Sequence, residues 1–267
     1  VPAYASEKGL GQSFAFDMLG TTWSAKRVKE LAANSLARAK ANGSSTTWVL
    51  SNHDVVRHAT RFGLPEPFDG SALYRNRANP QIDEELGLAR ARAMTTLLLA
   101  LPGSTYLYQG EELGLQEVLD IPGELMQDPQ FFRNPERGVS RDGCRVPLPW
   151  TRTGDSFGFG PGGAHLPQPT WFGSVSVEAE DNDPASTLNL YREAMALRKQ
   201  LQTVEDVKWI SHLFNKNLVH FVRPNGWQSI TNFGTKPVKL PAGKVVLTSA
   251  PLVDGKLGPN STAWLTK

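Results

Sequence analysis

The chain has a single cysteine, Cys144, in 267 residues. One thiol excludes a disulfide within the chain, and the His and Cys residues show none of the spacings that are typical of zinc sites. A lone thiol is compatible with a reducing compartment, and we expect a cytoplasmic protein.

Long apolar runs and an excess of one charge are also missing. No stretch approaches the roughly 18 apolar residues of a membrane-spanning helix, and the first residues lack the pattern of a leader peptide. Lysine and arginine number 28 against 26 acidic residues, with no basic run interleaved with aromatics. We therefore expect neither a membrane nor a nucleic acid as partner.

The elements that are present indicate an α/β fold. A β-branched and aromatic run at 47–50 is followed by a helical pattern at 83–101, which starts with acidic residues and stops at Pro102-Gly103. A second β-rich run follows at 105–108. Strand, helix and strand in this order predict a βαβ unit, in which the two strands are parallel.

Further helices and short strands surround this unit. Residues 12–17 alternate like a short strand, and residues 24–40 are helical with Ser24 as N-cap. Residues 115–177 are rich in Pro, Gly and Trp and aperiodic, as long functional inserts are, and a helix is predicted over 184–201. Three later alternating runs, separated by Gly and Pro, predict a small antiparallel β domain: 218–222, 229–232 and 244–247.

The strongest functional signal is Ser51-Asn52-His53-Asp54, which directly follows the first β-rich run. In (β/α)8 barrels, chemistry is carried at the carboxyl ends of the strands. His53 is suited to donate a hydrogen bond to a sugar hydroxyl, and Asp54 to stabilise positive charge on an oxocarbenium-like transition state. The alternative is a structural His–Asp pair at a strand end.

Four ordered motifs together resemble the α-amylase superfamily of glycoside hydrolases (glycoside hydrolase family 13), in its α-glucosidase and oligo-1,6-glucosidase branch. The motifs are Ser51-Asn52-His53-Asp54, Tyr-Gln-Gly-Glu-Glu-Leu-Gly at 108–114, Arg-Asp-Gly-Cys-Arg-Val-Pro-Leu-Pro-Trp at 141–150, and Ser-Val-Ser-Val-Glu at 174–178.

The resemblance implies the C-terminal part of a (β/α)8 TIM barrel, about the last three βα units, followed by a small antiparallel β-sandwich. The implied domains are a partial catalytic barrel at 1–205, with a long loop after its last strand, and a β domain at 206–267. The family's nucleophile motif, Arg-x-Asp-x-Ala, is absent from the sequence. Glu7 does not match the general acid, because small and polar residues surround it. We therefore expect both groups in a missing N-terminal half.

The same resemblance assigns site residues. Asp54 matches a transition-state stabiliser and His53 its catalytic, hydroxyl-binding neighbour. Three residues match substrate-binding positions: Arg141 would reach the non-reducing glucose, Glu111 would line the next sugar site, and Arg57 would pair with a carboxylate. Two structural alternatives stay open, since Glu111 can cap a turn and Arg141 can brace Asp142.

The implied activity is release of α-linked glucose from the non-reducing end of short oligosaccharides, with retention. No cofactor is expected, because the family's metal site, where one exists, would lie in the missing half. The alternatives are a sucrose isomerase or trehalose synthase of the same family, and a non-catalytic binding or assembly fragment. Since a partial barrel exposes strand edges, we expect a companion N-terminal half or self-association. Departures at Gly143-Cys144 and Leu148-Pro149 leave the preferred linkage open.

Overall fold

A computed structural model describes residues 6, 9–12, 16–65, 81–133 and 140–267. Within them lie six α-helices: α1 Ala25–Ala41, α2 His58–Arg61, α3 Glu84–Ala100, α4 Pro129–Arg133, α5 Val177–Asp181 and α6 Thr187–Leu201. The strands of the same residues are β1 Thr47–Val49, β2 Ser104–Tyr106, β3 Lys208–Ile210, β4 Leu218–Val222, β5 Gln228–Asn232, β6 Lys244–Thr248 and β7 Ser261–Thr266.

The three long helices lie where the sequence places them. The side chain of Ser24 accepts a hydrogen bond from the backbone N–H of Arg27, which makes it the N-cap of α1. Asp83 accepts from the backbone N–H of Leu86 in the same way at the start of α3. Helix α6 begins three residues later than predicted, because Asp183 holds Ala185 and Ser186 in a turn.

The chain divides into two compact units. The first combines Val1–Leu50, Ala89–Tyr106 and Arg192–Lys267, and the second combines Ser51–Leu88 and Leu107–Tyr191. This division leaves our predicted boundary between 205 and 206 as a prediction. None of the helices in the described residues is long and apolar enough to cross a membrane.

In the first unit, β1 and β2 pair in parallel, with Thr47 opposite Ser104 and Val49 opposite Tyr106. This confirms the parallel pair predicted from the βαβ pattern. Trp48 is fully buried, and its indole N–H donates to the carbonyl of Pro102, 2.7 Å away. The strand thus contributes both apolar burial and a satisfied polar group to the core of this unit.

The same unit contains a five-stranded antiparallel sheet in the order β3-β4-β5-β7-β6. Trp227 and Trp264 pack edge to face in its core, with ring centroids 4.9 Å apart. An antiparallel C-terminal sheet is therefore confirmed. Beside this sheet, the described residues contain isolated bridges such as Val238 with Leu257, and the predicted sandwich stays a prediction.

Two predicted strands differ from the structure. Residues 13–15 of the strand predicted at 12–17 lie outside the described residues, and Phe16–Met18 forms a 3-10 helix. The strand predicted at 105–108 is shifted towards its start and ends at Tyr106. In the part of the chain that the structure describes, β1 and β2 form a two-stranded parallel sheet, and their assignment to a barrel stays a prediction.

The second unit contains the aperiodic stretch, built from short helical turns instead of long elements. Glu111–Leu113, Gly123–Leu125, Asp142–Cys144, Asp155–Gly158 and Thr170–Val175 are 3-10 helices. The core of this unit is an apolar cluster that joins distant parts of the stretch to residues on either side of it: Leu113, Leu115, Val118, Ile121, Met126, Val146, Leu148, Leu166, Phe172 and Leu188. Loops packed around a shared core can hold side chains from several turns in fixed positions.

Candidate active site

Asp54 lies between two arginines and a histidine. Its Oδ1 accepts hydrogen bonds from Nη1 of Arg141 at 2.7 Å and from Nη2 of Arg145 at 3.2 Å. Its Oδ2 lies 3.4 Å from Nε2 of His53. The carboxylate is 47% exposed, so solvent reaches it despite these partners. The structure thus brings together three predicted site residues, Asp54, His53 and Arg141, and adds Arg145.

A local turn and one long-range bond position the His53-Asp54 pair. The side-chain oxygen of Asn52 accepts from the backbone N–H of Asp54 at 2.8 Å, which closes an Asx turn just after β1. Nε of Arg145 donates to the backbone carbonyl of His53, also at 2.8 Å. Arg145 therefore contacts both the backbone and the carboxylate of this turn.

Arg141 is held from behind by Asp128, whose side chain is fully buried. Nε of Arg141 donates to Oδ2 of Asp128 at 2.7 Å, and Nη2 donates to Oδ1 at 2.8 Å. These bonds hold the pKa of Asp128 well below its usual range and raise the pKa of Arg141. Both groups are therefore charged at neutral pH.

Asp142 is not the partner of Arg141 in these contacts. Its Oδ2 accepts from the backbone N–H groups of Gln127 and Asp128 and from the hydroxyl of Ser140. One structural alternative for Arg141 was a pair with its sequence neighbour Asp142. In the structure Arg141 pairs instead with Asp128, thirteen residues away along the chain. Asp142 instead secures the backbone that carries Asp128.

Arg57 is buried and connects three loops. Its guanidinium donates to the carbonyl of Gln109 at 2.8 Å and to that of Cys144 at 2.9 Å. Its contact with a carboxylate runs from its backbone N–H to Glu117, at 3.0 Å. A guanidinium used in this way holds the loops of the site together, and the geometry does not support a direct contact of Arg57 with substrate.

Glu111 lies in a buried cluster, separate from the exposed carboxylate of Asp54. Only 5% of the residue is exposed, and burial raises its pKa to about 8. Its Oε1 accepts from the hydroxyl of Tyr191 at 3.3 Å, and its Oε2 lies 4.0 Å from Nδ1 of His58. A carboxyl group shielded in this way has no access to a sugar, so the sugar-contact role that we predicted for Glu111 is not supported by the geometry.

Gly143 and Cys144, where the sequence departs from the family motif, are both buried and closely packed. A Cβ at Gly143 would lie 2.4 Å from the carbonyl oxygen of Val118 and 2.6 Å from Oε1 of Glu117, so a larger residue there would require the backbone at Val118 to shift. Cys144 is buried, and burial raises its pKa to about 12. A buried thiol with a raised pKa is a poor nucleophile.

Sequence reasoning missed Asp128, Arg145 and Glu117. Asp128 lies in the aperiodic stretch, and no local pattern points to it. Arg145 belongs to a motif that we identified, but it pairs with a carboxylate 91 positions away. Among the described residues, no group of three or more His, Cys, Asp and Glu side chains is arranged to hold a metal ion.

Comparisons with known proteins add to this geometry. Residues 5–206 match the family model of the alpha-amylase catalytic domain. A probable alpha-glucosidase of Rhizobium meliloti is 35% identical over 152 residues, which are 57% of this chain and 24% of that protein. The oligo-1,6-glucosidase IMA3 of Saccharomyces cerevisiae is 29% identical over 209 residues, which cover 67% of this chain and 32% of that protein.

Solved structures are similar over almost the whole chain. The alpha-glucosyl transfer enzyme XgtA shares 27% identity with a TM-score of 0.73, covering 99% of this chain and 48% of its own. The trehalose-6-phosphate hydrolase of Bacillus licheniformis has the same TM-score at 21% identity, and 54% of its chain is covered. This chain thus spans about half of these structures. Because the family model matches most of its residues, the chain belongs to the α-amylase superfamily of glycoside hydrolases.

Proposed function

We propose that this chain supplies the sugar-binding side of the active site of a retaining α-glucosidase that releases α-linked glucose from the non-reducing end of short oligosaccharides. The observation that carries the proposal is the half-exposed carboxylate of Asp54, held beside His53 and Arg141. The names of the relatives, an alpha-glucosidase and an oligo-1,6-glucosidase, support it.

The chemistry requires more carboxylates than this site contains. A retaining glycosidase uses a nucleophile and a general acid about 5–5.5 Å apart, and its transition state resembles an oxocarbenium ion. In our proposal Asp54 is a third carboxylate, which stabilises the developing positive charge. His53 and Arg141 bind hydroxyl groups of the glucose, and the nucleophile and general acid come from the N-terminal half.

A second candidate is transfer of the glucosyl group to another sugar. The 27% identity to XgtA, described as an alpha-glucosyl transfer enzyme, favours it. Both reactions pass through the same covalent intermediate and differ in whether water or a sugar hydroxyl attacks it. The ratio of free glucose to transfer product, measured with maltose as donor and acceptor, separates the two candidates.

Binding of a disaccharide tests the proposed site directly. We expect NMR titration of the chain with maltose or isomaltose to show binding that Asp54→Ala weakens at least about tenfold, because charge-assisted hydrogen bonds are lost. Glu124→Gln, an exposed carboxylate of the same unit, is the matched control and leaves the affinity unchanged. Equal affinity in the wild type and Asp54→Ala would contradict the proposal.

Mass measurements test the companion half. We expect a sample with α-glucosidase activity to contain either a chain heavier than 29.3 kDa or a second polypeptide beside this one. The chain by itself should bind maltose without hydrolysing p-nitrophenyl α-glucoside, and adding the N-terminal half should restore turnover. Hydrolysis by a monodisperse 29.3 kDa monomer would refute the need for a companion.

A further inference from the structure

The ion pair between Arg141 and the buried Asp128 points to a function for a residue that no motif identifies. We propose that Asp128 is the positioning residue of the candidate site: it orients the guanidinium of Arg141 so that one nitrogen faces Asp54 and the sugar. The inference rests on the proposed function, because it assumes that Arg141 and Asp54 contact the substrate.

The hydrogen bonds divide the guanidinium into a held side, which is bound to Asp128, and a second side, which faces Asp54. Nε and Nη2 of Arg141 are both bound to Asp128, at 2.7 and 2.8 Å. Because a guanidinium is planar and rigid, two bonds to one carboxylate determine the direction of the third nitrogen. That nitrogen, Nη1, lies 2.7 Å from Oδ1 of Asp54. Asp128 therefore sets which donor reaches the candidate site.

Asp128 is itself held firmly enough to act as a reference point. Its Oδ2 also accepts from the backbone N–H of Arg141 at 2.7 Å, and its Oδ1 accepts from that of Gln130 at 3.0 Å. Its own backbone N–H donates to Asp142 at 3.0 Å. Both oxygens of the carboxylate thus accept hydrogen bonds, and the side chain is not exposed to solvent. The carboxylate therefore has one stable orientation.

Asp128 also affects the balance of charge around Asp54. Asp54 faces two guanidinium groups, those of Arg141 and Arg145. The buried carboxylate of Asp128 offsets the charge of Arg141 and occupies two of its nitrogens. Without Asp128, these nitrogens are free to turn towards Asp54 and compete with the substrate for its oxygens. Loss of Asp128 should therefore weaken sugar binding even though Asp128 is buried behind Arg141.

A double-mutant cycle tests the proposal by NMR titration with maltose. We expect Asp128→Asn to weaken binding about tenfold, because the amide cannot accept both guanidinium bonds. In the Arg141→Ala background the same substitution should have no further effect on affinity, because Asp128 acts through Arg141. Glu124→Gln, four residues away and exposed, is the control.

A second variant keeps the test informative if Asp128→Asn folds poorly. Arg141→Lys retains the charge but cannot bind both oxygens of Asp128 and reach Asp54 at once, so we expect a similar loss of affinity with little change in Tm. In the wild type, the Arg141 Nε–H signal should exchange slowly with solvent. Rapid exchange would show that the held side of the guanidinium does not exist in solution.

The outcomes distinguish this inference from the proposed function. Unchanged affinity in Asp128→Asn or Arg141→Lys, with weakened binding in Asp54→Ala, overturns the positioning role and leaves the proposed function standing. An equal loss in the wild-type and Arg141→Ala backgrounds shows a structural role and also overturns it. Unchanged affinity in Asp54→Ala and Arg141→Ala means that the proposed function itself has failed.

Discussion

Two pairs of histidine and carboxylate lie in the same unit and differ mainly in burial. In the first, His53 and Asp54 are 65% and 47% exposed, with Nε2 and Oδ2 3.4 Å apart. In the second, His58 and Glu111 are 2% and 3% exposed, with Nδ1 and Oε2 4.0 Å apart. Each pair contains a residue that follows a strand, and the sequence suggested a sugar contact for both carboxylates.

Burial makes the second pair electrically neutral. It lowers the pKa of His58 to about 3, helped by the charges of Arg61 and Arg57, and raises that of Glu111 to about 8. At pH 7 the imidazole is therefore uncharged and the carboxyl group protonated, so the pair is not a salt bridge. Asp54, in contrast, has two arginines as partners and remains open to solvent. An acidic residue after a strand is a candidate for catalysis only when its surroundings leave it accessible.

The largest expected effect is on catalysis through the exposed pair. In the complete active site, with the N-terminal half present, Asp54→Asn should lower kcat about 10²–10³-fold, because one stabilising group for the transition-state charge is lost. Steady-state kinetics with p-nitrophenyl α-glucoside measure kcat, and a melting curve shows whether the variant is still folded. A normal kcat in Asp54→Asn, or a loss of activity that unfolding of the variant explains, would contradict the functional difference that we expect between the exposed pair and the buried pair.

The buried pair should instead control how stability depends on pH. The pKa of Glu111 is about 8 in the folded chain and near 4.5 when unfolded. Its protonated form therefore stabilises the fold fully below about pH 4.5, and this contribution is lost as the pH rises to 8. Glu111→Gln cannot ionise, so its advantage over the wild type should grow between pH 5 and 8, by on the order of a few kcal/mol.

Urea denaturation at several pH values measures this difference. His58 is present in both proteins, and its opposite effect, stability gained as the pH rises from 3 to 6.5, cancels in the comparison. Glu85→Gln, an exposed carboxylate in α3, is the control and should follow the wild-type pH profile. Parallel pH profiles for Glu111→Gln and the wild type would show that Glu111 is ionised in the folded chain.

The smallest effect is expected at Arg145, which supports the exposed pair from outside. Arg145→Lys keeps the charge but cannot reproduce both bonds, to the carbonyl of His53 and to Asp54. We expect maltose binding to weaken about fivefold, which corresponds to roughly one hydrogen bond, with an unchanged Tm. A loss larger than that of Asp54→Ala would mean that Arg145 contacts the sugar itself.

Local sequence was enough for the long helices and for much of the site. Ser24, Asp83 and Asn42 lie at helix ends, where short-range hydrogen bonds decide the boundary. It was not enough for β3, which is three residues long, or for β7, whose first five residues are all buried and so show no alternation. Both strands depend on pairing with distant neighbours in the sheet.

The sequence by itself determined the family motifs, the parallel strand pair and three members of the candidate site, His53, Asp54 and Arg141. Only the tertiary structure decided which carboxylates are accessible and which arginine each one meets. Asp128 and Arg145 reach their partners across 13 and 91 positions of the chain. Burial, which separates Glu111 from Asp54, comes from packing of the whole unit. Such contacts arise when loops fold onto a shared core, and no local pattern of residues encodes them.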